Sequence, residues 1–126
     1  MNLVDSSGWM EYFSNGPQAV SFKKPIEDTK HLIVPVICIY EVFKKNLQFT
    51  DEKKALEITA VMRMGEIVPL DDQRALSAAV MSHAFKLPMA DSIILAIAQE
   101  FKAILWTQDA DFENFPNVKY FEPKKQ

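Results

Sequence analysis

The chain has 126 residues, 48% of them hydrophobic and 25% charged, and its formal net charge of -3 shows no basic excess of the kind typical of nucleic-acid-binding domains. This composition is close to that of soluble globular proteins and argues against disorder, so we expect one domain spanning residues 1–126. The longest apolar run, residues 32–40, contains Pro35 and is far shorter than the about 20 residues of a spanning helix, so no membrane span is predicted.

Short apolar runs alternate with longer amphipathic stretches, which predicts an α/β fold around a mainly parallel sheet. Ser6 and Ser7 are expected to cap the first helix, and Asp71 and Asp72 a later one. The first predicted elements are a strand at residues 1–4, a helix from 6 that Asn15-Gly16-Pro17 ends, a polar stretch and a strand at 32–34. They are followed by a helix from 35 to about 46, a helix at 51–64, a strand at 67–70 and a helix from the Asp71-Asp72 cap to about 86, where Leu87-Pro88 makes a break. The last elements are a helix from about 89, a strand at 104–107, a turn at 111–115, a strand at 118–121 and a charged tail at 124–125 that is expected to fray.

The last two long helices have different apolar patterns. The helix that follows Asp71 carries Leu76, Ala79, Val80 and His83 on one side. The helix from about residue 89 is apolar nearly all round, which is typical of a helix buried against a sheet.

The cellular compartment is indicated by two features of the sequence. Cys38 is the single cysteine and lies in an apolar run, so it cannot form an internal disulfide and is expected in the core. Asp5 interrupts the N-terminus before the positive and apolar regions of a secretory signal could form. Both features predict a cytoplasmic protein.

Two acidic residues follow predicted strands, where the functional crevice of an open α/β sheet lies. Asp5 comes directly after the first strand, and Asp109 follows the strand at residues 104–107 with one residue between. Either residue alone is also explained as a turn or helix cap, since aspartate is common in both positions.

Two further acids lie on predicted helices. Glu41 is surrounded by apolar residues on its helix, so its carboxylate needs a partner; Lys44 or Lys45, three and four residues on, could supply an exposed ion pair. Asp91 lies in the first turn of an apolar helix, where capping alone would explain a negative charge.

A cluster of three or four carboxylates would suit magnesium or manganese, which prefer oxygen ligands. Setting the four acids aside leaves 13 acidic residues against 14 basic ones, so the rest of the chain would carry a charge of +1. The spacing does not bring the four acids together, because they are distant in sequence.

Four segments, in this order, resemble the motifs of PIN-domain ribonucleases, and VapC-type toxins are the most similar group. The resemblance covers nearly the whole chain. The segments are Leu-Val-Asp-Ser-Ser at residues 3–7, Tyr-Glu-Val at 40–42, Leu-Pro-Met-Ala-Asp-Ser-Ile-Ile-Leu-Ala at 87–96 and Leu-Trp-Thr-Gln-Asp-Ala-Asp-Phe at 105–112.

The resemblance implies a three-layer α/β/α fold whose five-stranded sheet has the order 3-2-1-4-5. It also implies RNA cleavage that depends on Mg²⁺, with Mn²⁺ as the alternative ion, together with a cognate antitoxin partner and a homodimer. Carried over by position, Asp5, Glu41 and Asp91 match the three metal-site acids, and Asp109 matches a more variable fourth.

Several positions beside these acids complete the resemblance. Thr107 matches a small hydroxyl residue of the site, Ser6 would either support the pocket or cap a helix, and Asp111 is expected to cap a turn more than to bind metal. Gln108 departs from the pattern, since relatives often have a basic residue there. Of the following residues, one or two are expected to contact RNA phosphates and the others to be solvated: Lys23, Lys24, Lys44, Lys45, Arg63, Arg74 and Lys86.

Non-nuclease alternatives make different demands on the sequence. A phosphoacceptor receiver needs an acidic pair beside the first strand, and a haloacid-dehalogenase-like phosphatase needs an aspartate at the position of Ser7. Neither requirement is met. A PIN-like domain that serves as a non-catalytic RNA- or protein-binding module remains the alternative to a ribonuclease.

Overall fold

Five parallel strands form the sheet in a computed structural model that describes residues 1–124. The strand order is β3-β2-β1-β4-β5, and all four neighbouring pairs are parallel. The predicted α/β fold and strand order are therefore confirmed. The strands are β1 (Asn2–Val4), β2 (Leu32–Pro35), β3 (Glu66–Val68), β4 (Ile104–Thr107) and β5 (Val118–Tyr120).

Six α-helices connect these strands in the described part of the chain. They are α1 (Ser6–Phe13), α2 (Ala19–Glu27), α3 (Val36–Phe49), α4 (Glu52–Met62), α5 (Asp72–Phe85) and α6 (Met89–Glu100), with short 3-10 turns at Thr29–His31 and Ala110–Phe112. The expected fraying of the tail concerns Lys124 and Lys125, and Lys125 lies outside the described residues.

The core covers both faces of the sheet. All four residues of β2 are buried, as are three consecutive residues of β4, Leu105 to Thr107. Because successive strand residues point to opposite faces, such runs require a helical layer on each side, as in the expected three-layer arrangement. Cys38 is fully buried among these apolar residues, as its sequence context predicts.

Helix α2 is the main element that the sequence pattern does not reveal. It occupies the polar stretch before β2 and buries Phe22, Pro25 and Ile26, which are spaced three and four residues apart. Lysines occupy the other side, and Pro25 in the last turn is typical of a break rather than of a helix interior. The helix forms because tertiary packing of these three side chains outweighs a weak local preference.

The helix caps differ in part from the prediction. Asp5, not Ser6 or Ser7, caps α1, because its Oδ1 accepts a hydrogen bond from the Gly8 amide at 3.0 Å. Asp71 caps α5 through the Arg74 amide at 2.9 Å, as expected. Asp5 thus lies between β1 and α1, and the hydrogen bond by which its carboxylate caps α1 fixes the orientation of its side chain.

The apolar side of α5 points outward. Leu76 and Val80 are each 68% exposed, and Ala78 is the buried residue of this helix. The reason is that α5 packs chiefly on α6, which itself buries six residues against the rest of the fold. No single helix within residues 1–124 is long and apolar enough to cross a bilayer; α5 and α6 meet that test only as a pair bent by 113°.

Candidate functional site

The acids come together at the carboxyl edge of the sheet. Strands β1 and β4 are neighbours, with Val4 aligned to Trp106, so the residues that follow them share one edge. Asp5 follows β1 directly and Asp109 follows β4 after one residue. Asp91 approaches from the first turn of α6, and Glu41 from the second turn of α3.

Three carboxylates form a tight cluster within the described residues. Asp91, Asp109 and Asp111 each offer an oxygen, and these oxygens lie within 4.8 Å of one another. Burial, followed by the charges and contacts of Asp109 and Asp111, raises the pKa of Asp91 from 3.8 to about 8. Such a concentration of negative charge calls for a proton or a cation.

Asp5 forms the buried floor of the site. Its side chain is held by three donors: Oδ1 accepts from the Ser7 hydroxyl at 2.6 Å and the Gly8 amide at 3.0 Å, and Oδ2 accepts from the Thr107 hydroxyl at 2.5 Å. Burial raises the pKa of Asp5 from 3.8 to about 6 although these hydrogen bonds lower it, and the charge of Asp109 raises it further.

The two hydroxyls that hold Asp5 also hold the loop after β4. Ser7 Oγ accepts a hydrogen bond from the Gln108 amide at 3.0 Å, and Thr107 Oγ1 accepts one from the Asp109 amide at 2.8 Å. Each hydroxyl therefore connects the carboxylate at the end of β1 to the backbone that carries Asp109. This network fixes the relative position of two acids that are distant in sequence.

Glu41 has a neutral partner. The Ser6 hydroxyl donates to its Oε1 at 2.6 Å, and within residues 1–124 no ion pair joins Glu41 to Lys44 or Lys45. Ser6 thus orients an acid rather than capping α1. Burial is the main cause of the raised pKa of the Cys38 thiol, and the charges of Asp5, Glu41 and Asp91 raise it further.

The structure brings the predicted residues together to different degrees. Asp91 and Asp109 are in the tight cluster, whereas Asp5 and Glu41 are not among the three acids within 4.8 Å. Asp5 is close enough to Asp109 for that charge to raise its pKa, and Glu41 is held by Ser6. Asp111, expected as a turn cap, is the third member; it is Asp109 that caps the 3-10 turn, accepting from the Asp111 amide at 2.9 Å. Ser7 was predicted only as a helix cap, and its hydrogen bonds with Asp5 and the Gln108 amide were not predicted. Its place two residues after a strand-end aspartate is a signal for the first of these bonds.

Comparisons with known proteins identify the family and the fold. The PIN domain profile matches residues 3–118. The chain belongs to the PIN-domain family. The matched residues of this PIN domain contain all the acids described above. Curated protein sequences give no significant match.

Solved structures similar to this PIN domain include toxin-antitoxin proteins. A toxin-antitoxin complex from Klebsiella pneumoniae is 23% identical with a TM-score of 0.78, covering 94% of this chain and 96% of that one. VapC20 from Mycobacterium tuberculosis is 12% identical with a TM-score of 0.77, covering 94% and 99%. DNA-bound VapBC from Salmonella typhimurium is 13% identical with a TM-score of 0.72, covering 96% and 98%. At these identities the likeness establishes the fold.

The donor set of this PIN domain suits a hard divalent cation. Every candidate ligand is a carboxylate oxygen, the donor that magnesium and manganese prefer, and the described residues of the cluster include no histidine or thiol ligand. Burial and then the negative charges of Asp109 and Asp111 raise the pKa of Asp91, and a bound cation would compensate those charges.

Replacing Thr107 in this PIN domain is expected to lower the free energy of unfolding. Thr107→Val has nearly the same shape, but it removes one hydrogen bond from Asp5 and the acceptor of the Asp109 amide. Leaving such groups unsatisfied costs about 1–3 kcal/mol, which urea unfolding would measure. Thr107→Ser should restore most of the loss.

A matched control for this prediction is Thr59→Val. Thr59 is also buried, but its hydroxyl donates only to the Leu56 carbonyl within α4. We expect a smaller decrease in the free energy of unfolding for Thr59→Val than for Thr107→Val. Equal losses at the two positions would contradict a special role for Thr107.

Proposed function

We propose that this PIN domain is a metal-dependent ribonuclease that hydrolyses RNA phosphodiester bonds as the toxin of a toxin-antitoxin pair. The observation that carries the proposal is the convergence of Asp91, Asp109 and Asp111 beside the buried Asp5. The family supports a nuclease, and the similar VapC20 is described as a toxin that cleaves the sarcin-ricin loop. All four acids predicted from the sequence remain candidate catalytic and metal-binding residues.

The cluster would hold Mg²⁺, or Mn²⁺ in its place, through Asp91, Asp109 and Asp111, with Asp5 and Glu41 beside them. When bound, the cation supplies positive charge next to the phosphate and a more acidic water molecule. The chain's own groups provide the fixed geometry, because Ser7 and Thr107 hold Asp5 while Ser6 holds Glu41.

Asp91 is the acid best suited to hold a proton near neutral pH. Burial first, and then the charges and contacts of Asp109 and Asp111, raise its pKa to about 8, so the carboxyl is largely protonated at pH 7. A carboxylate must lose its proton to become a ligand, so cation binding should release protons into solution.

The similar proteins support a protein partner for this chain. Structures of VapBC complexes from several bacteria, among them Rickettsia felis and Haemophilus influenzae, resemble this chain, and we propose a cognate antitoxin for it as well. We also propose that the protein forms a homodimer and that it is located in the cytoplasm. The location is supported by Cys38, because a single buried thiol that forms no disulfide suits a reducing compartment.

The test is cleavage of labelled single-stranded RNA by the purified protein. We expect cleavage with Mg²⁺ or Mn²⁺, none with EDTA, and recovery when the metal is restored in excess. Single-stranded DNA of the same sequence is the substrate control. RNA that is bound but left intact in both metals would favour the alternative, a non-catalytic binding module.

A further inference from the structure

A cavity beside the candidate site carries a further inference. It has a volume of about 470 Å³, within the range of about 300–1,000 Å³ that is typical of ligand clefts. Its lining includes Glu41 together with Ser6, which donates a hydrogen bond to Glu41, and Ser7, which donates one to Asp5. The rest is lined by Met10, Tyr40, Lys44, Lys45 and Gln48. We call this cavity the α1–α3 groove.

Charge in the α1–α3 groove comes from two neighbouring lysines. Lys44 and Lys45 are exposed, and neither forms an ion pair within residues 1–124. Their ammonium groups are therefore available to a ligand. Of the seven basic residues that the sequence offered as phosphate contacts, these two line the cavity that contains Glu41.

An exposed aromatic ring lies next to these lysines. Tyr40 is 58% exposed, although it lies on a helix that packs into the core. It is one helical turn before Lys44, whose Nζ lies 5.8 Å from the ring centroid. One face of α3 thus presents the Tyr40 ring, on which a base could stack, and the Lys44 ammonium, which could contact a phosphate. The two residues are four positions apart and therefore adjacent on the helix surface.

We infer that the α1–α3 groove binds the single-stranded RNA next to the bond to be cut, with Tyr40 stacking on a base and Lys44 and Lys45 contacting phosphates. The inference rests on the proposed function and specifies how the same site takes its substrate. Aromatic rings with positive side chains are the usual means of holding unpaired nucleotides. Because the acids of the site repel phosphate, positive charge is needed beside them, and the groove supplies it.

The first test measures RNA binding separately from cleavage. A short fluorescein-labelled single-stranded RNA is titrated with protein in EDTA, and fluorescence anisotropy is followed at several salt concentrations. Lys44→Ala with Lys45→Ala should weaken binding about tenfold and reduce the slope of log K against log salt by about 1.4, as expected for two phosphate contacts.

The matched control is Lys23→Ala with Lys24→Ala, which removes the same charge from two neighbouring exposed lysines on α2 that do not line the groove. This pair should bind RNA nearly as the unchanged protein does. Equal weakening by both pairs would show a general charge effect and overturn the inference, as would unchanged binding by the groove pair.

The second test separates stacking from charge. Tyr40→Leu should weaken RNA binding about tenfold, whereas Tyr40→Phe should retain it, because stacking needs the ring and not the hydroxyl. Tyr40 is exposed, so neither change is expected to prevent folding. Tyr40→Phe binding as weakly as Tyr40→Leu would overturn the stacking role.

Two outcomes distinguish this inference from the proposed function. If the unchanged protein cleaves RNA and the groove variants keep its binding constant and KM, the groove has another occupant, such as the antitoxin, while the nuclease proposal stands. If RNA binds through the groove but is never cut in Mg²⁺ or Mn²⁺, the nuclease proposal fails, whereas the assignment of the groove as a site for single-stranded RNA stands.

Discussion

Asp91→Asn is expected to reduce metal-dependent RNA cleavage by about 1,000-fold or more while the protein remains folded. Asp91 is the carboxyl that contacts both Asp109 and Asp111, so it is the centre of the cluster. Asparagine keeps the size of the side chain but removes a negative ligand. Metal ions contribute several kcal/mol of charge stabilisation, and about 4 kcal/mol corresponds to this factor in rate. Single-turnover cleavage at saturating Mg²⁺ measures it.

The matched control is Asp72→Asn, which makes the same chemical change in the first turn of another helix. Asp72 is exposed at the beginning of α5 and is not in the cluster. The Asp72→Asn variant should cleave RNA at the same rate as the unchanged protein. Mn²⁺ titration followed by electron paramagnetic resonance should show weakened binding only in Asp91→Asn. A rate for Asp91→Asn within about tenfold of the unchanged protein would remove Asp91 from the metal site.

Much of the fold and part of the site could be predicted from local sequence. Buried parallel strands appear as short continuous apolar runs, so β2 and β4 stand out, and acids directly after strands mark the functional edge. Asp5 and Asp109 were found in this way. The order of the strands came from the family resemblance, because apolar runs alone do not specify which strands are neighbours.

Features that depend on tertiary contacts are not encoded in local sequence patterns. Asp111 was expected to cap a turn, yet its neighbour Asp109 performs that role, which leaves the Asp111 carboxylate free to approach Asp91. The Ser7 hydroxyl oxygen accepts a hydrogen bond from the backbone amide of Gln108, which is 101 residues away in the chain. The sequence around Ser7 does not indicate this bond to Gln108. Helical spacing on α5 identified an apolar side correctly but not the direction in which it points.

Metal-free protein should become less stable as the pH rises from about 4 to about 8. Both Asp5 and Asp91 have raised pKa values, about 6 and about 8, whereas each would titrate near 3.8 in the unfolded chain. In this range the folded state binds more protons than the unfolded state, so the free energy of unfolding falls with increasing pH. Below 3.8 both states are protonated, and above about 8 both are ionised, so the contribution changes no further.

We expect the decrease between pH 5 and pH 8.5 to be about 2–4 kcal/mol, after discounting the half-buried Asp91 for solvent screening, as measured by urea unfolding in EDTA. Asp91→Asn should remove the slope between about pH 6 and pH 8 and reduce it below pH 6, where both groups contribute. Asp5→Asn should reduce only the slope below about pH 6, and Asp72→Asn should leave the whole profile unchanged. Mn²⁺ at about 100 times its Kd should restore about 2.7 kcal/mol at pH 8, because it binds the folded state. A slope that persists in the double variant Asp5→Asn with Asp91→Asn would mean that other groups titrate, and a metal-free protein that becomes more stable toward pH 8 would contradict the clustering of these carboxylates.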